Sequence, residues 1–192
     1  MHINHLLDLH HTAVRTSVEI VARVTPDDLD RRTPCAEWTL GDLLAHMTAQ
    51  HHGFAAAARG RGADLSAWEV GPPTADGYAE AAGDVLAAFA EPEVPQREFD
   101  LPEFRASFPA AQAVSFHLID YVVHGWDVAR SLGLGYDLAP ELAEPALRIA
   151  LAVPGGDTRL VPGAAFGPAL ETGNADPLSR ILTALGRSPG WA

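Results

Sequence analysis

The sequence contains one long segment that is compatible with a helix and is apolar around most of its circumference. When residues 114–128 are placed at intervals of about 100°, apolar side chains point in nearly every direction. The exception is a stripe within about 80° of arc, formed by His117, Asp120, His124 and Asp127. A helix that is apolar nearly all round is normally buried, and buried polar groups are costly unless they are paired or bound. The stripe therefore predicts a central helix of a bundle, with a functional site along one side.

Hydrophobic periodicity predicts a mostly helical chain, with Thr39 and Thr74 as helix N-caps. The predicted helices are, in chain order, residues 3–24, 40–59, 75–90, 106–132 and 140–152. Pro109 suits a first helical turn, so the regular part of the fourth helix could begin there instead. From residue 153 onwards, proline and glycine interrupt short apolar stretches, which predicts irregular structure or a small hairpin. Residues 178–185 are expected to add a terminal helical turn or two. We expect one domain, residues 1–192, with an all-α fold: a four-helix bundle, an additional short helix and an irregular C-terminal extension at 153–192.

Composition argues against several classes of function. The 25 acidic and 13 basic residues give a net charge of −12, which disfavours binding to nucleic acid through its phosphates. No apolar run is long enough for a membrane span, and no secretory signal is evident at the N-terminus. Cys35 is the single cysteine, so no internal disulfide can form. We therefore expect a cytoplasmic protein with neither nucleic-acid nor membrane partners.

The spacing within the stripe is suited to metal ligation. Asp120 and His124 are four residues apart, about one helical turn, so both side chains can address one point. The alternative is a hydrogen bond between the two side chains on a less buried helix. A mononuclear site needs a third ligand from another helix. The best candidate for this ligand is His46, which lies at the edge of the apolar face of the second predicted helix, where its side chain can turn toward the stripe from a facing helix. Gln50 lies one turn further along the same edge.

Three further residues have both a functional and a structural interpretation. His117 lies one turn before Asp120 on the stripe and could replace or join it as a ligand. Asp127 could orient a ligand histidine through its ring N–H, or it could form a structural hydrogen bond. Cys35 precedes a helix start, where the helix dipole can activate a thiol, but the sequence around it is typical of a turn.

The remaining histidines and arginines are less specific signals. His51 lies near the apolar face of its helix and is interpreted as a core histidine, whereas His52 points to solvent. His10 and His11 are further candidate ligands on the first helix. An anionic substrate could be bound by any of three arginines, Arg130, Arg180 and Arg187.

Three segments carry a resemblance to a known family. Residues 33–46, which end in His46, resemble the segment that enters the second helix of the DinB-like superfamily. Residues 120–129 and 176–189 resemble a second motif and the closing segment of its actinobacterial branch, which is related to mycothiol-dependent maleylpyruvate isomerase. The resemblance covers most of the chain. The two segments that contain the candidate metal ligands, residues 33–46 and 120–129, are fairly specific for the family when they occur together.

The resemblance implies a four-helix bundle that binds one divalent metal ion, zinc or nickel, through His46, Asp120 and His124. The isomerase has glutamate at the position of Asp120, and many DinB-like relatives have histidine there. The isomerase also has a second domain, which residues 153–192 match poorly.

Two histidines and one carboxylate leave positions open on a metal ion, where water or a thiol would bind with a lowered pKa. In relatives the thiol is a low-molecular-weight cellular thiol, which is mycothiol in actinobacteria. We therefore predict a metal-dependent thiol transferase or isomerase-like enzyme, a monomer or homodimer, whose partners are a small-molecule thiol and an electrophilic substrate. The alternatives are a metal-binding protein without turnover and a hydrolase that uses metal-activated water. No catalytic residue beyond the ligands is predicted.

Overall fold

A computed structural model describes residues 2–35, 38–161, 164–173 and 176–191. Within these ranges the helices are α1 (Ile3–Val21), α2 (Leu40–Ala58), α3 (Ala75–Phe89), α4 (Ala110–Ser131), α5 (Pro140–Ala152) and α6 (Pro177–Ala184). Two short strands, β1 (Glu98–Leu101) and β2 (Ala106–Pro109), form an antiparallel hairpin. The mostly α-helical fold of a DinB-like bundle is thereby confirmed. No helix in the described part of the chain is long and apolar enough to cross a membrane.

Capping side chains fix where α2 and α3 begin. The Thr39 hydroxyl accepts a hydrogen bond from the Asp42 amide at 3.1 Å, and the Asp42 carboxylate accepts one from the Thr39 amide at 3.0 Å. The Thr74 hydroxyl accepts a hydrogen bond from the Gly77 amide at 3.1 Å. These bonds satisfy amides that have no partner inside the helix. They confirm both predicted N-caps, and the α2 cap fixes the start of the helix that carries His46.

The central element is α4, as its apolar circumference predicts. It packs against α1, α2 and α5, and its side chains contribute to both hydrophobic clusters of the core. Val122 and Val123 belong to the larger cluster, whereas Tyr121 and Val128 pack in the other cluster with Met47 of α2. Because α4 is covered on most sides, its polar stripe is held inside the bundle.

Two predicted helix ends are wrong. The α1 helix ends at Val21 rather than at residue 24, because the amides of Arg23 and Val24 bond to carbonyls only three residues back, in a tight turn before Pro26. The α4 helix begins at Ala110 rather than at residue 106, because residues 106–109 pair with β1. This hairpin projects a short turn, residues 102–104, toward the polar stripe of α4.

A buried arginine organises the segment after α5. The Arg159 guanidinium donates to the carbonyl oxygens of Val153 at 2.9 Å, Pro154 at 2.7 Å and Gly167 at 3.3 Å. The terminal helical turns predicted for 178–185 are confirmed as α6, which packs against α5. The small hairpin considered for this region is not found in its described residues. The hairpin of the structure instead lies before α4, where the strands can pair locally.

Candidate metal centre

The three predicted ligands come together from two facing helices. The α2 helix contributes His46, and α4 contributes Asp120 and His124, one turn apart. One donor atom from each residue lies within 4.8 Å of the other two, and Asp120 Oδ1 is 3.2 Å from His124 Nε2. The rings of His46 and His124 meet edge to face, with centroids 5.5 Å apart. Two imidazoles and one carboxylate therefore converge on one point, while the metal-ligand role itself stays a prediction.

Asp127 and Arg187 hold His124 in a fixed orientation. His124 Nδ1 is 3.0 Å from Asp127 Oδ2, so Nδ1–H donates to that carboxylate and Nε2 faces Asp120. The Arg187 guanidinium in turn donates from Nε to Asp127 Oδ1 at 3.1 Å and from Nη2 to Oδ2 at 3.1 Å. Asp127 is completely buried and Arg187 is 5% exposed. A carboxylate on the far side of a ligand histidine is the arrangement that orients metal ligands in proteins.

The charges of the three converging groups differ sharply. Burial lowers the pKa of His124, but the carboxylates of Asp120 and Asp127 outweigh burial and raise it to about 10. Burial lowers the pKa of His46 to about 4, so its imidazole is neutral at pH 7. Burial raises the pKa of Asp120, but the adjacent His124 outweighs this effect, and the net shift is downward. The cluster thus holds a neutral imidazole, an imidazolium and a carboxylate, and a cation bound at His124 Nε2 must displace one proton.

Trp38 and Cys35 pack beside the converging side chains. The Trp38 indole lies 4.8 Å from the His46 ring and 6.5 Å from the His124 ring, centroid to centroid. The Cys35 sulfur lies within 4.8 Å of donor atoms of His124 and Asp127. Burial raises the pKa of the Cys35 thiol, which keeps it protonated near neutral pH. A reactive thiolate is therefore not favoured at Cys35.

A cavity of about 660 Å³ opens onto this cluster. This volume is in the usual range for a small-molecule site. Gln50 lines the cavity, as does Arg187, but Arg130 and Arg180 do not. Arg130 instead donates to the carbonyl oxygen of Trp191 at 2.8 Å. Other side chains from four parts of the chain complete the lining, notably Trp38, Phe54, Glu103, Phe104, Phe116 and Phe166.

The sequence-based interpretation missed most of this lining. Phe54 lies eight residues after His46, and Phe116 four residues before Asp120, so helical spacing alone could have placed both beside the ligands. Glu103 and Phe104 reach the cavity from the turn of the hairpin, which no local sequence pattern predicts. Burial and the nearby Asp120 carboxylate raise the pKa of Glu103.

His117 belongs to a different cluster from the three converging residues. Its Nδ1 is 2.8 Å from His10 Nε2, and its Nε2 is 3.3 Å from His51 Nδ1. All three rings are buried, in agreement with the interpretation of His51 as a core histidine, whereas His11 and His52 are exposed. Because both ring nitrogens of His117 are engaged, the geometry gives no support to His117 as a substitute for Asp120.

The family model of the mycothiol maleylpyruvate isomerase N-terminal domain matches residues 10–129. The chain belongs to this family. Two uncharacterized proteins of Mycobacterium tuberculosis, Rv0738 and MT0763, are each 32% identical over 155 residues, which is 78% of this chain and 80% of the relative. The match of the family model includes His46, Asp120, His124 and Asp127, whereas Arg187 lies beyond it.

Crystal structures of the mycothiol-dependent maleylpyruvate isomerase and of a point mutant share the fold of this family member. The TM-scores are 0.58 and 0.61, at 15% and 13% sequence identity respectively. In both comparisons the match covers 79% of this chain and 69% of the isomerase chain. At this level of identity the likeness shows the fold alone.

Proposed function

We propose that this protein is a metal-dependent thiol transferase or isomerase-like enzyme that uses a low-molecular-weight thiol of the mycothiol type. One observation carries the proposal: in a member of the mycothiol maleylpyruvate isomerase family, His46, Asp120 and His124 converge at a cavity of about 660 Å³. A cavity of this size leaves room for a thiol and a substrate beside the cluster. An open cavity also favours an enzyme over a protein that only stores a metal ion.

The residues present fit a divalent metal ion. Two imidazole nitrogens and one carboxylate oxygen lie within 4.8 Å of one another, and such a donor set suits zinc, nickel or iron with positions left open. We propose that His46, Asp120 and His124 hold one zinc or nickel ion. When bound, the ion supplies a positive charge that lowers the pKa of a nearby thiol toward neutral pH.

The surrounding side chains keep the proposed ligands in place. Asp127 holds the Nδ1–H of His124, which leaves Nε2 directed toward Asp120. Arg187 orients Asp127 through three hydrogen bonds between the two side chains. The Trp38 indole packs against the His46 ring on one side, with the ring centroids 4.8 Å apart.

We propose that residues 1–192 act as one unit, since the C-terminal segment completes the site. Arg159, Phe166 and Arg187 all follow residue 153, and all three line the cavity. The small-molecule thiol and the electrophile are the proposed partners.

Metal content tests the ligand assignment. Purified protein should carry close to one equivalent of zinc or nickel by elemental analysis. His46→Ala and His124→Ala should each remove most of it, because two ligands rarely hold a divalent ion tightly. His52→Ala, which changes an exposed histidine of the same helix, is the matched control. Full metal content in both ligand variants would show that the site is wrong.

Thiol activation tests the chemistry. Metal-loaded protein should accelerate alkylation of mycothiol or a simple thiol near neutral pH, and a thiol added to cobalt-loaded protein should produce a sulfur-to-metal charge-transfer band. Asp120→Ala should weaken both effects. If millimolar thiols perturb neither the cobalt spectrum nor the alkylation rate of metal-loaded protein, the proposal fails, and hydrolysis or metal binding without turnover becomes the better interpretation.

A further inference from the structure

The cavity has a polar end and an aromatic end. On α2, His46, Gln50 and Phe54 follow one another at four-residue intervals, and on α4 the order Phe116, Asp120, His124 repeats this spacing. All six residues line the cavity. The rings of His46 and His124 are 5.5 Å apart at one end, and at the other end Phe54 lies 4.8 Å from His117, the neighbour of Phe116. The two helices run in opposite directions, and each therefore places a proposed metal ligand at one end of the cavity and a phenyl ring at the other.

The two ends are separated by about two helical turns. Four residues of helix rise about 6 Å, so along the helix axes the backbone of Phe116 lies about 6 Å from that of Asp120, and each phenylalanine lies about 12 Å from the histidine of its own helix. A molecule whose reacting atom lies at the metal ligands can thus place a ring-sized group at the aromatic end.

The hairpin turn contributes a further ring to this end. The Phe104 ring lies 5.4 Å from the Phe116 ring and 5.5 Å from the Phe108 ring, centroid to centroid. Phe104 is 47% exposed, although it lies within an aromatic cluster. A large apolar side chain that is exposed at the edge of a cavity gains from covering by an apolar ligand.

The charges along the cavity do not favour a substrate with several carboxylates. Asp120 and Glu103 both contribute carboxyl groups to the lining. Of the two arginines in the lining, Arg187 is paired with Asp127, and Arg159 donates to backbone carbonyl oxygens. Each guanidinium therefore already has a partner within the protein, and neither is a dedicated site for a second anionic group of a substrate.

We infer that the electrophile accepted by this site carries an aromatic or similarly flat apolar group, which Phe54, Phe104 and Phe116 bind. This inference rests on the proposed function and specifies its substrate class. The three phenylalanines determine specificity, whereas the reacting atoms lie at the other end of the cavity.

Unreactive thioethers test the inference without requiring turnover. Two probes share one cysteine core, which has no sugar and whose amino and carboxyl groups are both capped. They differ only in the group on sulfur, which is benzyl in N-acetyl-S-benzylcysteinamide and the anionic carboxymethyl group in N-acetyl-S-carboxymethylcysteinamide. Calorimetry on zinc-loaded protein should show at least tenfold tighter binding of the benzyl probe, since burial of a phenyl ring is worth more than one order of magnitude in affinity. Phe116→Ala and Phe104→Ala should each reduce this preference at least threefold and leave binding of the carboxymethyl probe within twofold of wild type.

Phe108→Ala is the matched control, because Phe108 contacts both Phe104 and Phe116 but does not line the cavity. It should keep the preference for the benzyl probe. Equal binding of the two probes, or tighter binding of the carboxymethyl probe, would overturn the inference. It would also be overturned if Phe116→Ala weakened binding of mycothiol and left the benzyl probe unaffected, since the rings would then serve the thiol.

The outcomes separate this inference from the proposed function. Preference for the benzyl probe in a protein that fails to activate thiols would refute the proposed function and keep the aromatic end as a binding site. Thiol activation with equal binding of both probes would do the reverse.

Discussion

Three buried histidines should make the fold sensitive to acid. His10, His117 and His51 form a hydrogen-bonded chain of imidazoles inside the bundle, with nitrogen-to-nitrogen distances of 2.8 and 3.3 Å. Burial lowers the pKa of His10 to about 3, and it lowers the pKa values of His51 and His117 well below their ordinary value. In the unfolded chain the same groups protonate below a pH of about 6.5.

The sign and size of the effect follow from proton linkage. Below a pH of about 6.5 the unfolded chain binds more protons than the folded protein, so the free energy of unfolding decreases as the pH is lowered. His10, with a pKa of about 3, costs about 1.36 kcal/mol per pH unit below 6.5, which is about 2 kcal/mol at pH 5, and the lowered pKa values of His51 and His117 add to the loss in the same direction. His124 does not offset this loss, because a group with a pKa raised to about 10 contributes fully below pH 6.5 and loses its contribution only as the pH rises.

Urea unfolding followed by circular dichroism, with chelator present, measures the effect at about pH 7.5 and about pH 5. His10→Gln is the informative variant, because the glutamine amide can occupy the position of His10 Nε2 and does not titrate. We expect the loss of stability between the two pH values to shrink by about 2 kcal/mol in this variant. His5→Gln, on the same helix and exposed, should behave as wild type. An equal pH dependence of His10→Gln and wild type would refute the reasoning.

Three further predictions concern the metal. Chelated protein should keep its helical circular dichroism at room temperature, because the two hydrophobic clusters form without any metal ligand; unfolding on chelation would contradict this. Arg187→Ala should weaken zinc binding at least about tenfold in a chelator competition, since Asp127 loses its partner, and unchanged affinity would show that Asp127 needs no support. Zinc binding should release about one proton from His124, so the affinity for zinc should rise up to about tenfold per pH unit between pH 7 and 9. Calorimetry in buffers of different ionisation enthalpy counts that proton. If no proton is released, His124 is not a zinc ligand.

The bundle was predictable from the sequence because its signals are local. The caps at Thr39 and Thr74 and the apolar circumference of α4 each depend on residues within a few turns of one another. The hairpin was not predictable in the same way. Its strands have only four residues each, and residues 106–109 are compatible with both a strand and the first turn of a helix. Pairing with β1 decides between these two structures, and pairing is not visible in either segment alone.

In the candidate site, too, some residues could be predicted from local spacing and others depend on how the helices pack. Asp120 and His124 could be proposed together because one helix turn joins them, and His46 could be added because it lies at the edge of the apolar face of its helix, in agreement with the family resemblance. That His117 lies with His10 and His51 depends on how α1 and α2 pack against α4, which no spacing within one helix reveals. The partner of Asp127 could not be foreseen for the same reason, since Arg187 follows it by 60 residues.

Arg187 lies outside the part of the chain that carries the proposed metal ligands. The proposed ligands and Asp127 lie within the matched residues 10–129, whereas Arg187, Arg159 and Phe166 come from the segment that follows. Because Asp127 is completely buried, its charge is tolerated only with a partner, and Arg187 is the cation that pairs with it. Folding of the C-terminal segment onto the bundle is therefore coupled to the orientation of Asp127 and, through Asp127, to that of His124. The bundle presents the donor atoms, and the C-terminal segment supplies the cation that pairs with Asp127 and part of the cavity wall.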